Sequence, residues 1–196
     1  MDLDEARTRI LDAADQLFYD RGIQSVGMDE LRTAAGVSLK RLYQCFPAKQ
    51  DLVEAYLRRR DARWRASLAG YVTEHGGAPD RRPLAVFDWL HDWFSEPDFR
   101  GCAFINSFGE LGATSDGVRR VAREHKLALL AYLTELVRAA VPDGAPDALA
   151  GQVALLVDGA IAGAAISGDP AAARQARTAA ESLLTAGAAG GGRGKP

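Results

Sequence analysis

The sequence predicts an all-α chain of about nine helices. Three features carry that expectation. Apolar residues recur at helical spacing in segment after segment, no stretch sustains an alternation of period two, and glycines and prolines fall where one periodic run gives way to the next. The 196 residues are 47% hydrophobic and 26% charged, which is enough apolar material for one good core or two small ones.

The first helix is expected over 4–20, because Ile10, Ala13, Ala14, Leu17 and Phe18 form one apolar face and Gly22 supplies a left-handed stop. A short helix over 28–35 follows, with Asp29 and Glu30 in the turn where the helix dipole favours acids. Gly36 breaks the chain, Ser38 is placed to cap another short helix reaching Phe46, and Pro47 closes it. A long helix over 49–70 carries Leu52, Val53, Tyr56, Leu57, Trp64 and Leu68. Further helices are expected over 83–95, 103–111, 116–140 and 146–167, and a last one starts after Asp169-Pro170 and ends near Ala186. The organisation that follows is an N-terminal helical domain over 1–48, a larger helical domain over 49–186, and a disordered tail over 187–196, where no apolar pattern remains.

Composition narrows the function classes. No run of about 20 uninterrupted apolar residues occurs, so no membrane span or membrane partner is expected. The nearest candidate, 153–166, is broken by Asp158. The stretch MDLDEARTR lacks the apolar core of a signal peptide, and a cytoplasmic location is expected. Cys45 and Cys102 have no ligand-like neighbours, and a disulfide between them is not expected. The histidines His75, His91 and His125 are scattered, and no G-x-S-x-G, H-E-x-x-H or phosphate-cradling glycine loop is present. No catalytic residue, cofactor or metal is therefore assigned, and an enzyme is not expected.

The net charge of −2 hides an asymmetry. Residues 38–65 hold Lys40, Arg41, Lys49, Arg58, Arg59, Arg60, Arg63 and Arg65 against Asp51, Glu54 and Asp61, which suggests one anion-facing end on an acidic body. Arg58, Arg59 and Arg60 read as a solvated face, too far along the long helix to reach DNA.

Residues 28–46, MDELRTAAGVSLKRLYQCF, carry the functional signal. Two short helices joined by a glycine turn make a helix-turn-helix. Ala34 and Ala35 permit close approach, and Leu31, Val37, Leu42 and Phe46 close a small core. Leu39, Lys40, Arg41, Tyr43 and Gln44 then stay outside, a surface suited to a major groove.

With AGVSLKRLYQCF followed by Lys49 and Leu52, residues 5–57 resemble the DNA-binding module of the TetR family of bacterial transcription regulators. The resemblance implies that Ser38, Lys40 and Tyr43 touch phosphate or the groove edge and that Lys49 holds a phosphate. Arg41 is the candidate for reading guanine and Gln44 for adenine, while Leu39 meets a thymine methyl or neighbouring backbone. Met28 stands where the family usually has Thr or Ser, and Lys40-Arg41 where a small residue is common, so the recognition helix is bulkier here. The segment RGCAFIN at 100–106 is similar to one branch of the family.

The same resemblance implies a homodimer that binds a double-stranded, palindromic operator and is released by a small-molecule effector. Repression is the expected outcome. Activation, or a helical scaffold without ligand sensing, stays open. The expected pocket lining is Trp64, Trp89, Trp93, Phe104 and Phe108, with Asn106, Glu110 and His125 as polar determinants; the aromatics around Phe87 to Phe108 fall within 22 residues. His125 also reads as a satisfied core histidine. The dimer interface is expected on Val153, Leu156, Ala160, Gly163 and Ala164 of one helix and Ala180, Leu183 and Leu184 of the next, paired with their copies as a four-helix bundle.

Overall fold

The computed structural model describes residues 2–143 and 145–191, which contain nine α-helices and no strand. Helix α1 (Leu3–Arg21) starts where the Asp2 carboxylate accepts from the Glu5 N–H at 2.7 Å. It stops at Gly22, whose φ of 82° is open to glycine. Helices α2 (Met28–Ala35) and α3 (Leu39–Cys45) are joined by Gly36 at φ 65°, with the Val37 N–H donating back to the Arg32 carbonyl at 3.0 Å. That closes α2 with a left-handed cap and redirects the chain. Helix α4 (Lys49–His75) follows, then a 3-10 turn (Pro79–Arg81), α5 (Arg82–Phe94), α6 (Ala103–Leu111), α7 (Asp116–Ala140), α8 (Pro146–Ser167) and α9 (Ala171–Gly191).

By compactness the described chain divides differently from a boundary at 48. One unit comprises residues 2–63 with Cys102–His125, and the other comprises Trp64–Gly101 with the described residues from 126 on. In the first unit α2 and α3 pack on α1, and Ile10, Leu31, Leu42, Phe46, Leu52, Tyr56 and Leu57 are buried. Phe18 meets Tyr56 edge-on at 5.5 Å. The α1–α4 seam also carries charge: Arg59 pairs with Asp12 at 2.9 Å, and Arg60 pairs with Asp15 at 2.8 Å while lying over the Tyr19 ring at 3.6 Å.

In the second unit α9 packs on α8 and α5, around Val86, Leu90, Leu133, Val153, Val157, Ile161, Ala173 and Ala180. Helix α8 is long and apolar enough, by length and composition, to cross a membrane, its most apolar stretch reaching a mean hydropathy of 1.7. Its single acid, Asp158, within that apolar stretch pairs with Lys126.

Two helix ends lie beyond their expected places. Helix α4 passes through Gly70 to His75, because Leu68 and Val72 are buried and Tyr71 stacks on His75 at 4.4 Å. These contacts offset the roughly 1 kcal/mol that a mid-helix glycine costs. Helix α9 continues to Gly191, carried by the strong helix formers Ala186, Ala188 and Ala189, so 187–191 are helical. The remainder of the expected tail, 192–196, lies outside the described residues.

Gly36→Ala is expected to cost about 1–2 kcal/mol, the strain of an L residue in the left-handed region. Urea unfolding of the purified variant checks this, and an unchanged midpoint would remove the turn from the account.

Candidate nucleic-acid interface

Successive residues of α3 are about 100° apart around its axis. Leu42, buried completely, therefore points opposite to the arc bearing Leu39, Lys40, Tyr43 and Gln44. Lys40 and Gln44 are exposed, and Leu39 and Tyr43 are 43% and 45% exposed despite their apolar surface. Arg41 is half-buried at the edge of this arc, on the side of Gln44. Ser38 caps the helix, its Oγ accepting from the Arg41 N–H at 3.2 Å, which leaves the hydroxyl proton to donate outward. At the other end Arg7 donates to the Cys45 carbonyl at 3.1 Å and covers the Phe46 ring at 4.4 Å. Arg7 drew no attention in the sequence, since its partner lies on another helix.

Charge is distributed unevenly. Arg9 pairs with Glu5, Arg21 with Glu30, and Arg32 with Asp29. Arg58 reaches Glu124 at 2.8 Å, Arg59 reaches Asp12, and Arg60 and Arg63 share Asp15. Among the described residues, Lys40 and Arg41 have no carboxylate partner. The solvated Arg58–60 face is thus an ion-paired one, whereas α3 presents Lys40 and Arg41 without such partners.

Lys49 is directed elsewhere. Its Nζ donates to the Ile23 carbonyl at 2.6 Å and lies 5.8 Å from the Phe18 ring centre. Burial lowers its pKa, against the opposing pull of Glu110. In this conformation the ammonium braces the α1–α2 loop, a tie between residues distant in sequence that spacing could not reveal.

Of the eight expected effector contacts, Trp64, Trp89 and Trp93 belong to the second unit and the other five to the first. Trp64, Trp89 and Trp93 pack on one another at 5.0–5.7 Å between ring centres, and the Trp89 indole donates to Ser67 Oγ at 3.2 Å. Phe104 stacks on His125 at 3.7 Å, and His125, 2% exposed, has its Nδ1 2.7 Å from Asp61 Oδ1. The satisfied core histidine is the arrangement found. Asn106 and Phe108 are exposed, and Glu110 binds backbone N–H groups of the α1–α2 loop. The second unit holds a cleft of about 380 Å³ between charged Arg81, Arg177 and Glu181 and apolar Leu84, Val141 and Leu184, none of them among the eight.

The expected dimer residues divide as well. Val153, Ala160, Ala164, Ala180 and Leu184 are buried within their own chain, Leu156 and Leu183 are half-buried, and Gly163 is exposed. The outward stripe of α8 is Leu155, Gly159, Ala162 and Ile166, with Leu155 and Ile166 74% and 88% exposed.

Residues 10–56 match the family described as bacterial regulatory proteins, tetR family, and residues 79–180 match the tetracyclin repressor-like C-terminal domain. The chain belongs to the TetR family. Two solved TetR-type structures share the whole architecture. One is the TetR-family regulator SCO4454 from Streptomyces coelicolor, 33% identical over 94% of this chain and 97% of that one, with a TM-score of 0.86. The other is a putative TetR regulator, sav143, from Streptomyces avermitilis, 34% identical over 93% and 97%, with a TM-score of 0.79. The transcriptional activator FasR of Mycolicibacterium smegmatis is 48% identical over 56 residues, 29% of this chain, and the match spans about a quarter (26%) of FasR's length. As a TetR-family member the chain is a transcriptional regulator with a helix-turn-helix for DNA, and its family and fold are those of regulators rather than enzymes.

Proposed function

We propose that this TetR-family regulator is a cytoplasmic repressor that binds a palindromic operator as a homodimer and leaves it when a small molecule binds. The observation that carries the DNA-binding part is the α3 surface, where Lys40 and Arg41 lack carboxylate partners and Leu39, Tyr43 and Gln44 lie exposed beside them. Arg41 and Gln44 read bases, Lys40, Tyr43 and Ser38 touch phosphates or the groove edge, and Leu39 rests on a thymine methyl. One such short helix reads few base pairs, and a second copy doubles the contacts. The α8 stripe Leu155–Gly159–Ala162–Ile166 supports pairing of two copies, since small residues between large apolar ones let helices approach closely.

The effector acts in the second unit. It lies against the Trp64–Trp89–Trp93 cluster, and the 380 Å³ cleft is another place in that unit within the size range of small-molecule sites. To release DNA it must favour a conformation in which α4 carries the α3 helices out of register with successive grooves. A second reading, activation, is favoured by the similarity of the DNA-binding segment to FasR, which is named an activator.

Selection from random duplexes is expected to return an inverted repeat, bound with a log–log salt slope of about −5 to −8 for some six to nine neutralised phosphates. Arg41→Ala should cost about 1–3 kcal/mol and relax one base position in each half-site. Equal binding to selected and random duplexes would end the proposal. In a thermal-shift screen of metabolites, compounds that raise the midpoint are expected to weaken operator binding, and stabilising compounds that leave binding unchanged would count against release by ligand.

A further inference from the structure

The loop between α1 and α2 is held from outside. The Glu110 carboxylate, at the end of α6, accepts from two consecutive backbone N–H groups, Ile23 at 3.2 Å and Gln24 at 2.9 Å. The Gln24 side-chain amide returns a bond to the Glu110 carbonyl at 2.7 Å, and Lys49 holds the Ile23 carbonyl from α4. Both polar groups of Ile23 are therefore bound by charged side chains from other helices, while its own side chain is buried. Gly22 fits the arrangement twice. Its φ of 82° suits glycine, and a Cβ there would stand 3.1 Å from Glu110 Oε1.

Bonds that backbone N–H groups donate to a carboxylate are about twice as strong as neutral ones. They are also directional. Two parallel bonds fix the angle at which α6 meets the loop, where a single apolar contact would let it slide. The loop leads directly into α2 and α3, which pack on α1 and on each other, so holding the loop on α6 orients the whole three-helix head.

We infer that Glu110 is a positioning residue for DNA binding: by clamping the Ile23 and Gln24 amides it sets the orientation of the α1–α3 head on α6, and with it the register of the two α3 helices on an operator. This rests on the reading that two heads of a dimer engage one operator. The carboxylate itself touches no DNA.

The test compares wild type, Glu110→Gln and Glu110→Ala on the selected operator and on a duplex carrying one half-site. Glu110→Ala is expected to lose about tenfold or more in affinity for the full operator, the scale of one charged hydrogen bond, with half-site affinity unchanged. Glu110→Gln, which keeps one good acceptor oxygen, falls between the two. Equal loss on both duplexes would mean general damage to the head and would overturn the inference, as would no loss on either. If wild type itself binds the two duplexes alike, it is the two-headed reading that fails, and the inference falls with it. Amide exchange in the unmodified chain is an independent check. Ile23 and Gln24 should be protected well beyond an ordinary exposed loop, and exchange at loop rates would show that the clamp is absent, even where Glu110→Ala does not fold.

Discussion

A helix of seven residues is too short to persist in water, so α3 depends wholly on what lies beneath it. Leu42 and Phe46, one turn apart, are buried with Leu31 and Val37, and this contact fixes both the existence and the rotation of the helix. Once those side chains are inward, the arc at 39, 40, 43 and 44 must face outward. Gly36 sets the direction of approach through its left-handed backbone, and Ser38 fixes the first residue of the helix through its cap. The DNA-facing chemistry is thus a consequence of apolar burial on the opposite side. Changing the core would move the contact surface without altering any residue on it.

Charge pairing sharpens that surface. Arg58, Arg59, Arg60 and Arg63 of α4 are joined to Asp12, Asp15 and Glu124. Where such a pair is exposed, as Arg58–Glu124 is, it adds little stability, typically about 0–1 kcal/mol. The larger effect of these pairs is on the field: they offset positive charge on the long helix, while Lys40 and Arg41 on α3 keep theirs. A chain of net charge −2 can still approach a polyanion through a locally positive region. Local distribution, not the total, decides the orientation of encounter.

Much of this was legible in the residues. The glycine stops, the Ser38 cap and the apolar spacing of α1 to α3 are local signals, and the elements lie within a residue or two of their expected places. The α4 and α9 ends were not, because tertiary burial at Val72 and a run of alanines override the local cost of glycine. The outward face of α8 was illegible for another reason. That helix is apolar on most sides, so its sequence gives no phase, and three of the α8 residues expected to meet a partner, Val153, Ala160 and Ala164, are buried within their own chain. Glu110 and Lys49 resemble a ligand contact and a phosphate contact when read singly; only the folding of Ile23 and Gln24 against them reveals their common partner.

In the proposed function α3 lies in the major groove, twice on each operator. Dimethyl sulfate reports this directly, because it methylates guanine N7 on the major-groove edge. On the selected site, bound protein should protect guanines in two patches about one helical turn apart, 34–36 Å. Methylation at N7 as in free DNA, or protection confined to adenine N3 in the minor groove, would contradict the account.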